Sequence, residues 1–206
     1  MILVLPGGGY RRHAPHEAEP VAEWLSGLGW TTRVVRYPVL TRHPEPLAAV
    51  RREIAAERER GAHAVGVIGF SAGGHLAGLA ALAPDSSPDE RPDFAVLGYP
   101  AVSMVHHPHP GSRSVLVGDP GPEETALELS LERLVAPGSP PMFVWHTAGD
   151  RVVPVEHSHL LGTALAAAGV GHELHVFPGD VHGIGLAVDT DAAAWTSLAA
   201  AWLDRR

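Results

Sequence analysis

Short apolar runs alternate with longer segments of helical spacing along the whole chain. The runs Ile2 to Leu5, Thr32 to Arg36, Val65 to Gly69, Phe94 to Gly98, Met142 to His146 and Glu173 to Phe177 are too short for helices and read as strands. Between them, Glu17 to Ser26, Pro46 to Arg60, Ala72 to Ala83 and Val155 to Ala168 carry helical patterns. A last helix is predicted from Asp191 to Leu203, with Asp191 as N-cap and with Trp195, Leu198, Trp202 and Leu203 on one face. Strands alternating with helices predict an α/β protein: one domain over residues 1–206, with a doubly wound, mainly parallel sheet of about six strands covered on both faces.

One interval breaks the rhythm. Pro100 to Pro141 places about forty residues between two strands, where a handful is usual. It is rich in Pro, Gly and His, with one short helix expected from Glu123 to Leu134. Because it leaves the sheet at its C-terminal edge, it reads as a lid-like excursion or as an inert surface insertion.

Composition narrows the chemistry. The 206 residues include no Cys, Lys, Asn or Gln, so all 15 basic residues are Arg. A Schiff-base lysine, a P-loop lysine, a cysteine nucleophile and thiolate metal ligands are therefore excluded. No side-chain amide can build an oxyanion hole, which leaves that task to backbone N–H groups, hydroxyls, His or Arg. A net charge of −8 argues against a nucleic-acid partner, and no apolar run is long enough to cross a bilayer. Met1 leads straight into Ile2-Leu3-Val4-Leu5 without the basic flank of a signal peptide, so a cytoplasmic location is expected.

The most informative segment runs from Val65 to Leu76, where a hydrophobic strand enters Gly69-Phe70-Ser71-Ala72-Gly73 and a helix of small residues follows at once. A sharp strand-to-helix turn of this kind lifts the serine to the top of a sheet and tolerates no side chains at the flanking glycines. Ser71 is the candidate nucleophile, and the N–H of Ala72 at the helix N-terminus is a candidate oxyanion donor. Pro6-Gly7-Gly8-Gly9-Tyr10 also follows a strand and offers the bare N–H groups of Gly8 and Gly9 as the other half of the hole. Its rival reading, a phosphate loop, lacks both the G-x-G-x-x-G spacing and a lysine.

An acid and an imidazole complete the set in chain order. Asp150 is the only acid in the loop after the fifth strand, and His182 lies in the loop after the sixth. Each would sit, like Ser71, at the C-terminal end of a strand, which is the arrangement of a Ser-His-Asp triad. Asp180 lies two residues from His182 and reads better as a turn residue, as does Asp119. His75 is expected to pack or hydrogen-bond within its helix, and His157 and His159 face apart. The cluster of His106, His107 and His109, interleaved with prolines, lacks a ligand periodicity and reads as a solvated loop, so no metal is expected. Arg51, Arg52, Arg58 and Arg60 with Glu53, Glu57 and Glu59 form a solvated charged face. Tyr10 and Trp145 either line a substrate pocket or pack in the core.

Several stretches together carry a resemblance. They are Pro6-Gly-Gly-Gly-Tyr10, Gly69-Phe-Ser-Ala-Gly-Gly-His-Leu-Ala77, Tyr99-Pro100, Pro141-Met-Phe-Val-Trp-His-Thr-Ala148, Val153-Pro-Val-Glu156, His175-Val-Phe-Pro178 and His182-Gly-Ile-Gly-Leu-Ala187. With these the chain resembles the α/β-hydrolase superfamily, and within it the acetylesterase and acetyl-xylan-esterase-like group related to prolyl-oligopeptidase-type hydrolases. The resemblance implies a serine esterase without a cofactor, acting on a small ester such as an acetylated sugar or xylo-oligosaccharide. Two departures stand out. Pro6 replaces the His that often opens the oxyanion loop, and the two strands that usually precede that loop are missing. Removing those strands from the family's sheet leaves the order 2-1-3-4-5-6, with its switch point between the Gly7 to Gly9 loop and Ser71. Dimerisation through the edge so exposed is a further expectation. A small serine peptidase and a catalytically silent hydrolase-fold binding protein are the alternatives.

Overall fold

A computed structural model describes all 206 residues. Its six strands are β1 (Ile2–Leu5), β2 (Thr32–Val34), β3 (Gly66–Phe70), β4 (Phe94–Gly98), β5 (Met142–Thr147) and β6 (His172–Phe177). They form one sheet in the order β2-β1-β3-β4-β5-β6, and every neighbouring pair is parallel. The expected order therefore holds, and so does the switch point between β1 and β3. Helices α1 (Glu19–Gly27), α2 (Glu45–Glu59), α3 (Ala72–Leu82), α4 (Pro110–Leu116), α5 (Glu123–Glu128), α6 (Leu131–Leu134), α7 (Glu156–Ala167) and α8 (Ala194–Leu203) make up the rest of the regular structure, with short 3₁₀ turns. None of them is long and apolar enough to cross a membrane.

The strands are apolar on both faces because both faces are covered. Along β1, Leu3 and Leu5 enter one core and Ile2 and Val4 the other, as the two-residue period requires. The first core is mostly aliphatic and runs under α2, α3 and α7. The second is aromatic, with Trp145 stacked on Trp195 at 5.0 Å and Trp202 set edge-on to Phe94. Such pairs add about 1 kcal/mol each beyond the area they bury.

The structure revises three local expectations. The helix expected from Glu123 to Leu134 is broken at Leu129 and Ser130, where Ser130 turns its hydroxyl to the Ala126 carbonyl and accepts the Met104 N–H. That bond ties the far leg of the excursion to its near leg. Asp191 is no N-cap: Thr190 occupies the cap of a 3₁₀ turn, Asp191–Ala193, and α8 starts only at Ala194. The 100–141 excursion is also far from a loose insertion. Val102, Met104, Leu116, Leu129 and Leu131 belong to the aliphatic core, and Leu131 fills the space that a side chain on Gly78 would take.

Candidate active site

Ser71 stands between β3 and α3 with φ 51° and ψ −116°, a conformation that a non-glycine residue holds only when its surroundings enforce it. The enforcement comes from close backbone approach on both sides. A Cβ on Gly69 would strike the Gly73 carbonyl, and one on Gly73 would strike the carbonyls of Leu5 and Pro6. The turn is further pinned by bonds from Ser71 N–H to Gly98 O, 2.9 Å, and from His75 N–H to Ser71 O, 2.9 Å. Strain at the serine is thus held by the sheet and by the start of the helix together.

The loops after β5 and β6 deliver the other two groups. His182 Nε2 lies 2.8 Å from Ser71 Oγ, and His182 Nδ1 lies 2.6 Å from Asp150 Oδ2. A carboxylate can only accept, so Nδ1 carries the proton and Nε2 presents its lone pair to the serine hydroxyl. Asp150 is buried, and its other oxygen accepts the N–H groups of Val152 and Val153 at 2.9 and 3.0 Å. Burial alone would raise its pKa. Hydrogen bonding from His146 and His182, the His182 charge and the Val153 N–H outweigh that and hold the carboxyl well below the usual range. His146 is itself fixed, donating from Nε2 to Val153 O and accepting from Ser158 at Nδ1, with Nε2 3.4 Å from Asp150 Oδ2.

The Gly7 to Gly9 loop lies beside the serine. Gly7 N–H donates to Glu17 Oε2 at 2.7 Å, whereas the N–H groups of Gly8 and Gly9 have no partner within the protein. Ala72 is the first residue of α3, so its N–H precedes the helix's own bonding. Ala72 follows Ser71 directly in the chain, and Gly8, Gly9, Ser71 and His182 border a cleft of about 600 Å³. Its lining also includes Arg11, Arg12, His16, His109 and Val152, and only two of its 13 residues are apolar.

Two residues that sequence reasoning missed support this loop. Glu17 is 2% exposed, and its Oε1 accepts the Tyr99 hydroxyl at 2.6 Å. Tyr99 in turn accepts the Gly185 N–H at 2.8 Å and lies edge-on to His182, 5.0 Å between ring centres. The buried Glu17 and Tyr99 side chains therefore couple the glycine loop to the histidine loop. Tyr99-Pro100 was legible as a motif, but nothing near Glu17 in the chain marks it.

Other expectations are corrected. Tyr10 and Trp145 line no part of the cleft: both are fully buried, Tyr10 donating to His75 Nδ1 at 2.7 Å and Trp145 stacking on Trp195. His75 is the packed residue expected. It donates from Nε2 to Leu129 O, and burial pushes its pKa down to about 4. His106 and His107 are exposed, but His109 is not a solvated loop residue, because it caps α4 and borders the cleft. No cluster of side chains could hold a metal ion, and Asp180 is exposed while Asp150 holds the imidazole.

Known proteins place this architecture. Residues 52–165 match the BD-FAE family model. The chain is 31% identical to endo-1,4-beta-xylanase B of Butyrivibrio fibrisolvens over 95% of its own length and 34% of that protein. It is 29% identical to the acetylxylan esterase of Xylanibacter ruminicola over 89% of its length and 41% of that protein. The chain thus spans well under half of these two curated relatives. Among solved structures, an acetyl ester-xyloside bifunctional hydrolase from Caldicellulosiruptor lactoaceticus matches with a TM-score of 0.92 and 40% identity, covering 99% of this chain and 82% of that one. With its six-stranded parallel sheet and a family match spanning more than half of its residues, the chain belongs to the BD-FAE family and has the α/β-hydrolase fold.

Proposed function

We propose that the protein is a serine esterase that removes short acyl groups, acetyl above all, from carbohydrate esters such as acetylated xylo-oligosaccharides. The observation that carries this reading is the unbroken chain of hydrogen bonds from Ser71 Oγ through His182 to Asp150, mounted on a strained turn. His182 Nε2 takes the hydroxyl proton as Ser71 attacks the ester carbonyl, and Asp150 stabilises the imidazolium that forms. The N–H groups of Gly8, Gly9 and Ala72 receive the oxyanion. Gly7 is not among them, because Glu17 occupies its N–H. Each such donor contributes about 3 kcal/mol to lowering the barrier. Protonated His182 then gives its proton to the departing alcohol, and water activated by the same ring releases the acid from the acyl-serine.

Every step uses groups of the chain, so the proposal calls for no cofactor. A cleft with only two hydrophobic residues in its lining supports a small acyl group with a hydrophilic alcohol over a lipid chain, which needs an apolar channel. The named relatives support acetylated sugars as the substrate class. In this reading residues 1–206 act as one catalytic domain, with the 100–141 excursion as a wall of the cleft.

A fluorophosphonate probe should label the protein at Ser71 and leave Ser71→Ala unlabelled. An unlabelled wild-type protein would sink the proposal. Turnover of p-nitrophenyl acetate no faster than that of the octanoate would remove the short-acyl assignment alone, and acetylated xylo-oligosaccharides then test the alcohol.

A further inference from the structure

His109 sits on the excursion, opposite the catalytic loops, and its two ring nitrogens have different surroundings. Nδ1 accepts the Ser112 N–H at 3.1 Å and lies 2.9 Å from Ser112 Oγ, which caps α4. A nitrogen that accepts a backbone N–H carries no proton of its own, so the neutral ring must carry its proton on Nε2. Nε2 has no partner in the protein, is not enclosed, and belongs to a residue that borders the cleft. The Ser112 bonds fix the ring, which lies so near Gly9 and Gly111 that a Cβ added to either would stand 3.4 or 3.1 Å from its Cε1. Burial first, then the nearby His182 and Arg11, lower its pKa against the opposing Asp150, which favours the neutral form.

The cleft therefore holds a preorientated neutral donor that the triad does not use. An acetyl group brings one methyl to a cleft of about 600 Å³, so most of the remaining space faces the alcohol. We propose that His109 is a specificity residue of the alcohol subsite, its Nε2–H donating to a ring hydroxyl next to the scissile ester and so selecting sugar esters over apolar ones. This rests on the esterase reading above. Arg11 stands beside His109 over Gly111 and extends the same donor-lined wall.

The capping and recognition roles can be separated, because His109→Asn retains an acceptor at the Nδ1 position but cannot reach into the cleft. The test compares kcat/KM for a monoacetylated methyl xyloside and for cyclohexyl acetate, rings of one size with and without hydroxyls. Wild type should prefer the xyloside. His109→Asn should lower that preference about tenfold, mainly through KM, as loss of one neutral hydrogen bond predicts. His109→Ala should lose both the preference and some thermal stability. An undiminished preference in His109→Asn would reduce His109 to a cap, and an equal fall on both esters would make its effect general; either overturns the assignment. Wild type acting equally on both esters would defeat this inference alone, whereas wild type acting on neither would defeat the esterase reading.

Discussion

Two cavities of nearly the same volume lie on this molecule. One, of about 600 Å³, contains Ser71; the other, of about 590 Å³, lies between α2, the end of α3 and α5, lined by His43, Leu47, Arg51, Leu79, Glu128 and their neighbours. More hydrophobic residues line the second, six against two. By the residue types of its lining it would be the better ligand site. The backbone argues otherwise. Gly8, Gly9, Ser71 and Gly183 of the first cavity all have positive φ, and no residue of the second does. In the first, N–H groups, an imidazole and a hydroxyl converge on one point. In the second, cations and carboxylates are spread around its wall, and His43 is held below its ordinary pKa by burial and then by Arg51, against Glu128. Chemistry is marked by strain and convergent polar groups, which cost stability and persist where the fold holds them, rather than by empty volume.

The sharpest way to break this contrast is Ser71→Ala, which should lower kcat for p-nitrophenyl acetate by about 10⁴-fold or more. Asp150→Asn should cost about 10³- to 10⁴-fold, because the amide no longer enforces the Nδ1–H tautomer of His182. The same variant exposes a pH effect. The Asp150 carboxyl is held below its ordinary value of 3.8 in the folded chain, so its contribution to stability is complete above that pH and is lost as pH falls through the folded value. Any stability advantage of wild type over Asp150→Asn, read by denaturant melts, should therefore shrink below about pH 3.8.

Tyr99→Phe comes next. It leaves buried Glu17 Oε1 and the Gly185 N–H without their partner, so a loss of about 1–3 kcal/mol is expected in thermal or denaturant unfolding. A fall in kcat of about tenfold should accompany it as the two loops slacken. The smallest effect on activity should come from the other cavity. Leu47→Ala should cost about 2 kcal/mol of stability and leave kcat/KM of the folded protein within about twofold. A tenfold loss of activity there would couple the two cavities and end the contrast.

The strands and the turn at Ser71 were legible because their signals are local, whereas the strand order came from the resemblance to the α/β-hydrolase superfamily. Short continuous apolar runs identify strands covered on both faces, and the glycines at 69 and 73 mark a turn that no larger residue can make. Glu17 and Tyr99 were not legible as a pair because 82 residues separate them and their bond exists only when β1 and β4 lie in one sheet. Tyr10 and Trp145 were left open between pocket and core for a related reason: aromatic residues occupy both, and burial depends on what the rest of the chain lays over them. His109 looked like one of three histidines in a proline-rich loop, and only its bond to Ser112 and its place across from His182 distinguish it.

The amino-acid sequence by itself determined the α/β alternation, the strand-to-helix turn at Ser71 and a chemistry without Lys, Cys or side-chain amides, since each follows from residue type and near spacing. Tertiary structure decided which glycine N–H groups remain free, which aromatics are core, and which histidine faces the cleft. Those outcomes depend on hydrogen bonds and burial between segments far apart in the chain, and they come into being only when the sheet brings those segments together.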